Sequence, residues 1–334
     1  MKPALPLNFF TCRGKPQLLT SLNIMVVESL ISSEVEPRFL PFLGADVAQT
    51  YDRSAVVILP IPFEATTTYR RGCMRGPEAI LNASQQVEYY DEELDWEVCY
   101  DVGIYTAPPV ADSVNQADLT PENMLESVEE ALTPLIADGK FVIGLGGEHS
   151  ITEAIVSAYR SANSEPFTIV QIDAHGDLRQ EYEGSIHNHA CVMRRIVDMG
   201  LPTLQIGIRA ICKEEADLIK AKNLPVFRAR NLVSNPHWIA DALASISTQK
   251  VFLTIDLDGL DPTTLPGVGT PEPGGLDWYS LMNFLRQVFD RHEVIGADIM
   301  ELAPLVDSVV SQFTAAKLTY KLIGYHFTKT RACP

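Results

Sequence analysis

Residues 167–177 read FTIVQIDAHGD: an apolar run of strand length that ends in alternating aspartate and histidine. Five more runs have the same build, at 55–59 (AVVIL), 141–145 (FVIGL), 203–207 (TLQIG), 251–257 (VFLTIDL) and 294–300 (VIGADIM). Short, almost continuously apolar runs suit strands buried on both faces of a parallel sheet. Helical periodicity fills the intervals. Thr120 before Pro121 reads as a helix N-cap with proline at the first helical position. Leu125, Val128, Leu132, Leu135 and Ile136 then recur at helical spacing, and Gly139 supplies a stop. Pro134 is expected to kink or shorten that helix. Strand–helix alternation over most of the chain predicts an α/β fold with a mostly parallel sheet. In such folds, function collects at the carboxyl ends of the strands.

The chain has 334 residues, of which 43 are acidic and 26 basic, giving a net charge of −17. This balance excludes a nucleic-acid or anionic-membrane partner as the expected role, since both need basic patches. It is compatible with a cationic substrate. No apolar run reaches the ~20 residues that span a bilayer. Six scattered cysteines form no C-x-x-C pair, which fits free thiols, a reducing compartment and a cytoplasmic location. Residues 1–50 read as an N-terminal extension, either an arm that contacts other subunits or a partly disordered one. Residues 51–334 read as one domain. Met25 is a second candidate start.

The polar residues at the strand ends form a candidate metal site. Gly146-Gly147-Glu148-His149-Ser150 follows the FVIGL run, and the glycines allow a sharp turn that presents His149. Asp173, His175 and Asp177 would share one face if the extended backbone continued past the run. Asp256 and Asp258 share a face at the end of VFLTIDL, while Asp261, before a proline, shapes the turn. Four carboxylates and two imidazoles are too many for one tetrahedral zinc. They suit two manganese ions, with nickel or cobalt able to use the same donors. Two divalent ions would balance the four aspartate charges.

GGEHS, DAHGDL and TIDLDGLDP, in this order, resemble the ureohydrolase family of arginases, agmatinases and relatives that release urea from guanidino groups. The stretches PIPFEAT at 60–66, YRRG at 69–72, GPEAI at 76–80, EYEG at 181–184, GIR at 207–209, GVGTP at 267–271 and DIMELAP at 298–304 also resemble it, and its agmatinase branch most. The resemblance runs from about residue 50 to 328. It implies a three-layer α/β/α sandwich, an assembly of three or six copies, and a pair of metal ions. It places His149 and Asp177 on one ion, His175 and Asp258 on the other, and Asp173 and Asp256 between them. It makes Glu301 the residue that holds the substrate guanidinium and His189 a proton shuttle. His187, two residues earlier, is the competing histidine, and the spacing from EYEG favours His189. A single-zinc amide hydrolase of the same broad fold would not need six ligands.

The reaction implied is hydrolysis by a metal-activated water, with Asp177 passing a proton to the leaving amine and His189 exchanging protons with solvent. Arginases read the substrate's α-amino and α-carboxylate groups partly through an asparagine two residues after the DAHGD-type motif. That position here is Arg179. The departure disfavours arginine and points to agmatine, with putrescine and urea as products. Arg179 could alternatively meet a distal carboxylate, as on guanidinobutyrate. Guanidinopropionate and guanidine are the remaining alternatives.

Overall fold

The structure, a computed structural model, describes residues 38–331. Most of the N-terminal extension, with Met25, therefore lies outside the described residues. Phe42, Leu43 and Val47, in its last part, are buried among the core side chains.

Eight strands form one sheet: β1 (Val56–Ile61), β2 (Ile104–Thr106), β3 (Phe141–Gly146), β4 (Thr168–Ile172), β5 (Thr203–Ile208), β6 (Val226–Arg228), β7 (Lys250–Asp256) and β8 (Glu293–Met300). Their order across the sheet is β2-β1-β3-β8-β7-β4-β5-β6, and every pairing is parallel. All six apolar runs become strands. The two three-residue edge strands, β2 and β6, carry no such run.

Alternate side chains on each strand enter opposite layers. On β1, Val56 and Ile58 face one layer while Val57, Leu59 and Ile61 face the other. The first layer contains α1 (Gly76–Ser84), α8 (Trp238–Ala244), α9 (Trp278–Arg291) and α10 (Val310–Phe327). The second contains α3 (Pro121–Ala137), α4 (Ile151–Ala162) and α5 (Val192–Asp198). Short helices α2 (Val98–Val102), α6 (Lys213–Lys222) and α7 (Ala229–Ser234) complete the chain order. The fold is a three-layer α/β/α sandwich.

Helix α3 begins as its sequence predicts. Thr120 accepts a hydrogen bond from the Asn123 N–H through its side chain, and Met124, Val128 and Leu132 are its buried stripe. Each such side chain contributes about 1.5–3 kcal/mol when removed from water. Pro134 sits in the last turn, and the helix ends three residues later. Helix α9 is capped by Asp277, whose side chain accepts from the Ser280 N–H.

Strands β3, β8, β7 and β4 are neighbours at the centre of the sheet, yet the chain enters β4 from β3 by stepping over the other two. The carboxyl ends of these four strands open onto one crevice, the place where open parallel sheets build their sites.

Candidate metal centre and catalytic cavity

Each central strand delivers polar side chains just past its carboxyl end. After β3 the backbone turns at Gly147, where an added Cβ would overlap the Phe63 carbonyl oxygen. Only glycine permits that approach, and the turn sends His149 into the protein with 1% exposure. After β4, the extended conformation does not continue to residue 177, contrary to the simple reading of alternation. The strand ends at Ile172, and Asp177 adopts a left-handed conformation with φ of 51°. The turn, rather than a shared strand face, brings Asp173 and Asp177 together. Asp258 likewise lies in a short 3-10 turn after β7, where its N–H donates to Asp256 Oδ1 at 2.9 Å. Close beside it, a Cβ on Gly259 would come within 2.8 Å of the Asp173 nitrogen. The Asp261 side chain accepts from the N–H groups of Thr263 and Gly274, within its own turn.

The six predicted ligands converge in two groups. His149 Nδ1 faces Asp173 Oδ2 at 3.1 Å, Asp177 Oδ2 at 3.2 Å and Asp256 Oδ2 at 3.3 Å. His175 Nδ1 faces Asp258 Oδ2 at 2.9 Å and Asp173 Oδ1 at 3.7 Å. Asp173 thus turns one oxygen to each imidazole. His149 Nδ1 is buried and makes no hydrogen bond. A buried nitrogen ringed by carboxylate oxygens, with four aspartates almost out of contact with water, is a donor set that needs cations. The residues present fit a pair of divalent ions.

Polar side chains within the strands hold these donors, and the sequence reading overlooked them. Gln205 Nε2 donates to Gln171 Oε1 at 2.5 Å, and Gln171 Nε2 donates to Asp173 Oδ2 at 2.6 Å. His149 Nε2 hydrogen-bonds with Thr254 Oγ1 at 2.8 Å, which fixes the ring and leaves Nδ1 toward the carboxylates. Thr152 Oγ1 donates to Asp298 Oδ2 at 2.9 Å beside it. A ligand's orientation and basicity depend on such partners. The signal was present: Gln171 and Thr254 are the polar residues two positions before a ligand in otherwise apolar runs.

Burial and neighbouring charges set the protonation of the cluster. Burial, with the Asp173 charge, pushes Asp177 up to about 7, and burial with Asp258 and Asp173 raises Asp256 strongly. Burial works against ionisation of Asp173 too, but the facing His149 and His175 imidazoles outweigh it and hold that carboxyl low. Burial alone would lower both imidazoles; their aspartate partners outweigh it and raise them. Asp177 therefore binds a proton in the folded chain between pH about 4 and about 7, where the unfolded chain has lost it, and Asp256 shifts in the same direction, so their contribution falls as pH rises. Metal requires the deprotonated ligands. The difference in Tm between metal-loaded and chelator-stripped protein is expected to widen from pH about 5 to about 7.5, measured by calorimetry. A gap independent of pH would refute these carboxylates as the ligands.

The predicted catalytic residues lie around the same point. Glu301, one residue past β8, has φ of 66°, a conformation that costs a non-glycine residue energy and recurs at functional sites. Its N–H donates to Gly147 O at 2.8 Å, and its Oε1 accepts from the His149 N–H at 2.7 Å. Burial and the nearby Glu148 charge raise its pKa well above the carboxylate range. His189 lines the cavity. Its Nδ1 lies 3.1 Å from Thr66 Oγ1, and its N–H donates to the same oxygen at 3.0 Å. Thr66 is held in turn by the fully buried Glu148, which accepts from Thr66 Oγ1 and from the N–H groups of Ala65 and Thr66. His187 is committed elsewhere: its Nδ1 pairs with Glu153 Oε2 at 2.9 Å, and it does not line the cavity. Thr66→Val is expected to lower kcat about tenfold with bound metal unchanged, because it frees the His189 ring. Unaltered kcat in steady-state assays would refute that role.

His149, His175, Asp177, Asp256, Asp258, His189 and Glu301 line a cavity of about 500 Å³. Arg179 also lines it, with its guanidinium over the Tyr182 ring at 4.5 Å. Arg209 reaches the cavity wall but spends its guanidinium on backbone carbonyls, including those of Asp258 at 2.6 Å and Glu272 at 2.7 Å. Arg70 ties the 66–70 segment to the carbonyls of Val268, Ala303 and Pro304 at 2.8–3.0 Å. The segment's Thr67, Thr68 and Tyr69 form part of the rim.

The family described as the Arginase family matches residues 54–324. An N(1)-aminopropylagmatine ureohydrolase of Synechocystis sp. is 59% identical over 284 residues, 85% of this chain and 93% of that protein. An agmatinase of Pyrococcus horikoshii is 35% identical over 268 residues, 80% of this chain and 90% of that protein. Among solved structures, the agmatine ureohydrolase of Thermoplasma volcanium is similar with a TM-score of 0.76 at 28% identity, over 91% of this chain and 100% of that one.

Proposed function

The chain belongs to the arginase family, and from that premise we propose that it is a two-metal hydrolase that cleaves the guanidino group of N(1)-aminopropylagmatine to urea and spermidine. The reaction class is carried by one observation: six ligand-type side chains from three strand ends converge beside Glu301 in a cavity. The substrate is supported by the 59% identical relative of that name. Agmatine, which the sequence reading favoured, is the second reading and is supported by the agmatinase relative.

His149 and Asp177 would hold one cation and His175 and Asp258 the other, with Asp173 and Asp256 shared. Manganese suits this carboxylate-rich set, and nickel or cobalt could use it. When bound, the two cations supply an acidified water at neutral pH and offset the aspartate charges. Glu301 holds the guanidinium. One of its oxygens is taken by the His149 N–H, and the other accepts no hydrogen bond among the described residues, so it is available to pair with a planar cation. Asp177 takes the proton released by the attacking water and passes it to the leaving nitrogen as the C–N bond breaks with its electron pair on nitrogen. His189, held through Nδ1 by Thr66, exchanges protons with solvent through its other ring nitrogen.

A homotrimer or homohexamer in a cytoplasmic setting belongs to the same proposal. The exposed apolar residues Val306, Val309, Val310 and Phe313 support a subunit contact. Among the described residues no helix is long and apolar enough to cross a membrane, and the net charge of −17 does not favour nucleic acid. The test is urea release by metal-loaded protein on N(1)-aminopropylagmatine, agmatine, arginine, guanidinobutyrate, guanidinopropionate and guanidine. Highest kcat/KM on N(1)-aminopropylagmatine is expected. Preference for agmatine would instate the second reading, and turnover of arginine alone would overturn both.

A further inference from the structure

Agmatine and N(1)-aminopropylagmatine share the guanidinium and the nitrogen four carbons away. They differ in the aminopropyl arm, which adds one more ammonium. Selectivity between them needs a group that meets that ammonium, at a distance from the metal ligands.

Six acidic residues line the cavity. Asp177, Asp256 and Asp258 belong to the metal cluster, and Glu301 accepts from the His149 N–H. Glu215 accepts from the N–H groups of Leu178 and Cys212. Glu272 is the sixth, and its carboxylate makes no hydrogen bond or ion pair among the described residues. The two lining arginines do not answer it: Arg179 lies over Tyr182, and Arg209 is directed to carbonyls. Glu272 is thus the acidic residue of the cavity lining whose carboxylate is left unpaired among the described residues.

Its backbone is fixed where a substrate tail would pass. The 269–272 segment starts beside Glu301, since a Cβ on Gly269 would lie 3.8 Å from Glu301 Oε2. It continues past the metal cluster, where Thr270 Oγ1 donates to Asp258 Oδ2 at 3.4 Å. At Glu272 its carbonyl receives Arg209 Nη2 at 2.7 Å, and the same nitrogen reaches the Asp258 carbonyl at 2.6 Å. Pro271 and Pro273 on either side restrict the backbone further. Three residues of chain reach at most about 10 Å, and the glutamate side chain extends this. This bounds how far the Glu272 carboxylate can lie from the guanidinium end of the site.

We propose that Glu272 pairs with the distal ammonium of the aminopropyl arm and so sets the preference for N(1)-aminopropylagmatine over agmatine. This inference rests on the function proposed above. An ammonium–carboxylate pair at a partly covered wall is a charge-assisted contact, and its loss lowers affinity by about tenfold or more.

The experiment compares kcat/KM for both substrates in the wild-type and Glu272→Gln proteins, with calorimetric binding of the triamine spermidine and the diamine putrescine beside it. The ratio of kcat/KM for N(1)-aminopropylagmatine over agmatine is expected to fall about tenfold or more, through KM. Spermidine binding should weaken by a similar factor relative to putrescine. An unchanged ratio, or equal losses on both substrates and both amines, would overturn the role of Glu272. A wild-type protein that releases urea from neither substrate would instead overturn the underlying function.

Discussion

Replacing Asp173 with asparagine is expected to cut urea release by about a thousandfold or more and to lower bound metal below two ions per subunit. Asp173 is fully buried, and its oxygens face His149 at 3.1 Å and His175 at 3.7 Å, so it stands between the two proposed ion positions. Both oxygens are already acceptors. Oδ2 receives Gln171 Nε2 at 2.6 Å, and Oδ1 receives the His175 N–H at 2.5 Å. Whichever way an asparagine amide turned, its NH2 would confront one of these donors. A buried mismatch of that kind costs about 1–3 kcal/mol, so Tm should fall as well. Metal content by mass spectrometry, urea release and thermal unfolding check the three effects together. A variant that keeps full metal and more than about a tenth of its activity would remove Asp173 from the centre.

The sequence displayed these ligands because they interrupt a strong pattern. Aspartate and histidine at the carboxyl ends of buried strands are expensive unless something pairs them, so FTIVQIDAHGD and VFLTIDLDGLDP announce both the strand and the chemistry. What failed was local geometry. Alternation predicted that Asp173, His175 and Asp177 point one way along an extended chain. In the fold, Asp177 reaches the cluster through a left-handed turn while His175 pairs with Asp258. The edge strands were hidden for a related reason: β2 and β6 are three residues long and lack a continuous apolar run.

The supporting contacts were less legible because they join distant segments. Thr66 and Glu148 are 82 positions apart, and Thr66 and His189 are 123 apart. No periodicity encodes such pairs; they follow from strand order, which sets the carboxyl ends of β1 and β3 side by side. The choice between His187 and His189 depended on the same information. Spacing favoured His189, and the cavity lining and the Glu153–His187 pair are the physical grounds for keeping the two apart.

Glu301→Gln should separate activity from stability, where the Asp173 substitution lowers both. Glutamine can still accept from the His149 N–H through its carbonyl oxygen, the bond that Glu301 Oε1 makes at 2.7 Å. Its NH2 would then occupy the side that opens to the cavity. A guanidinium approaching that side would meet a donor instead of a carboxylate, losing charge and geometry together. A loss of about a thousandfold in kcat/KM is expected, the scale on which removing a transition-state contact in a covered site is felt. The fold should respond oppositely. Burial and Glu148 make ionisation at Glu301 unfavourable, and its backbone sits at a φ of 66°. A neutral side chain relieves the first of these burdens, so Tm should stay level or rise, as happens when an active site holds charge at the expense of stability. Metal content should remain that of the wild type, since the six ligands are untouched. If the variant kept activity within tenfold, the guanidinium would have to be held elsewhere. If it lost metal along with activity, Glu301 would belong to the ligand set.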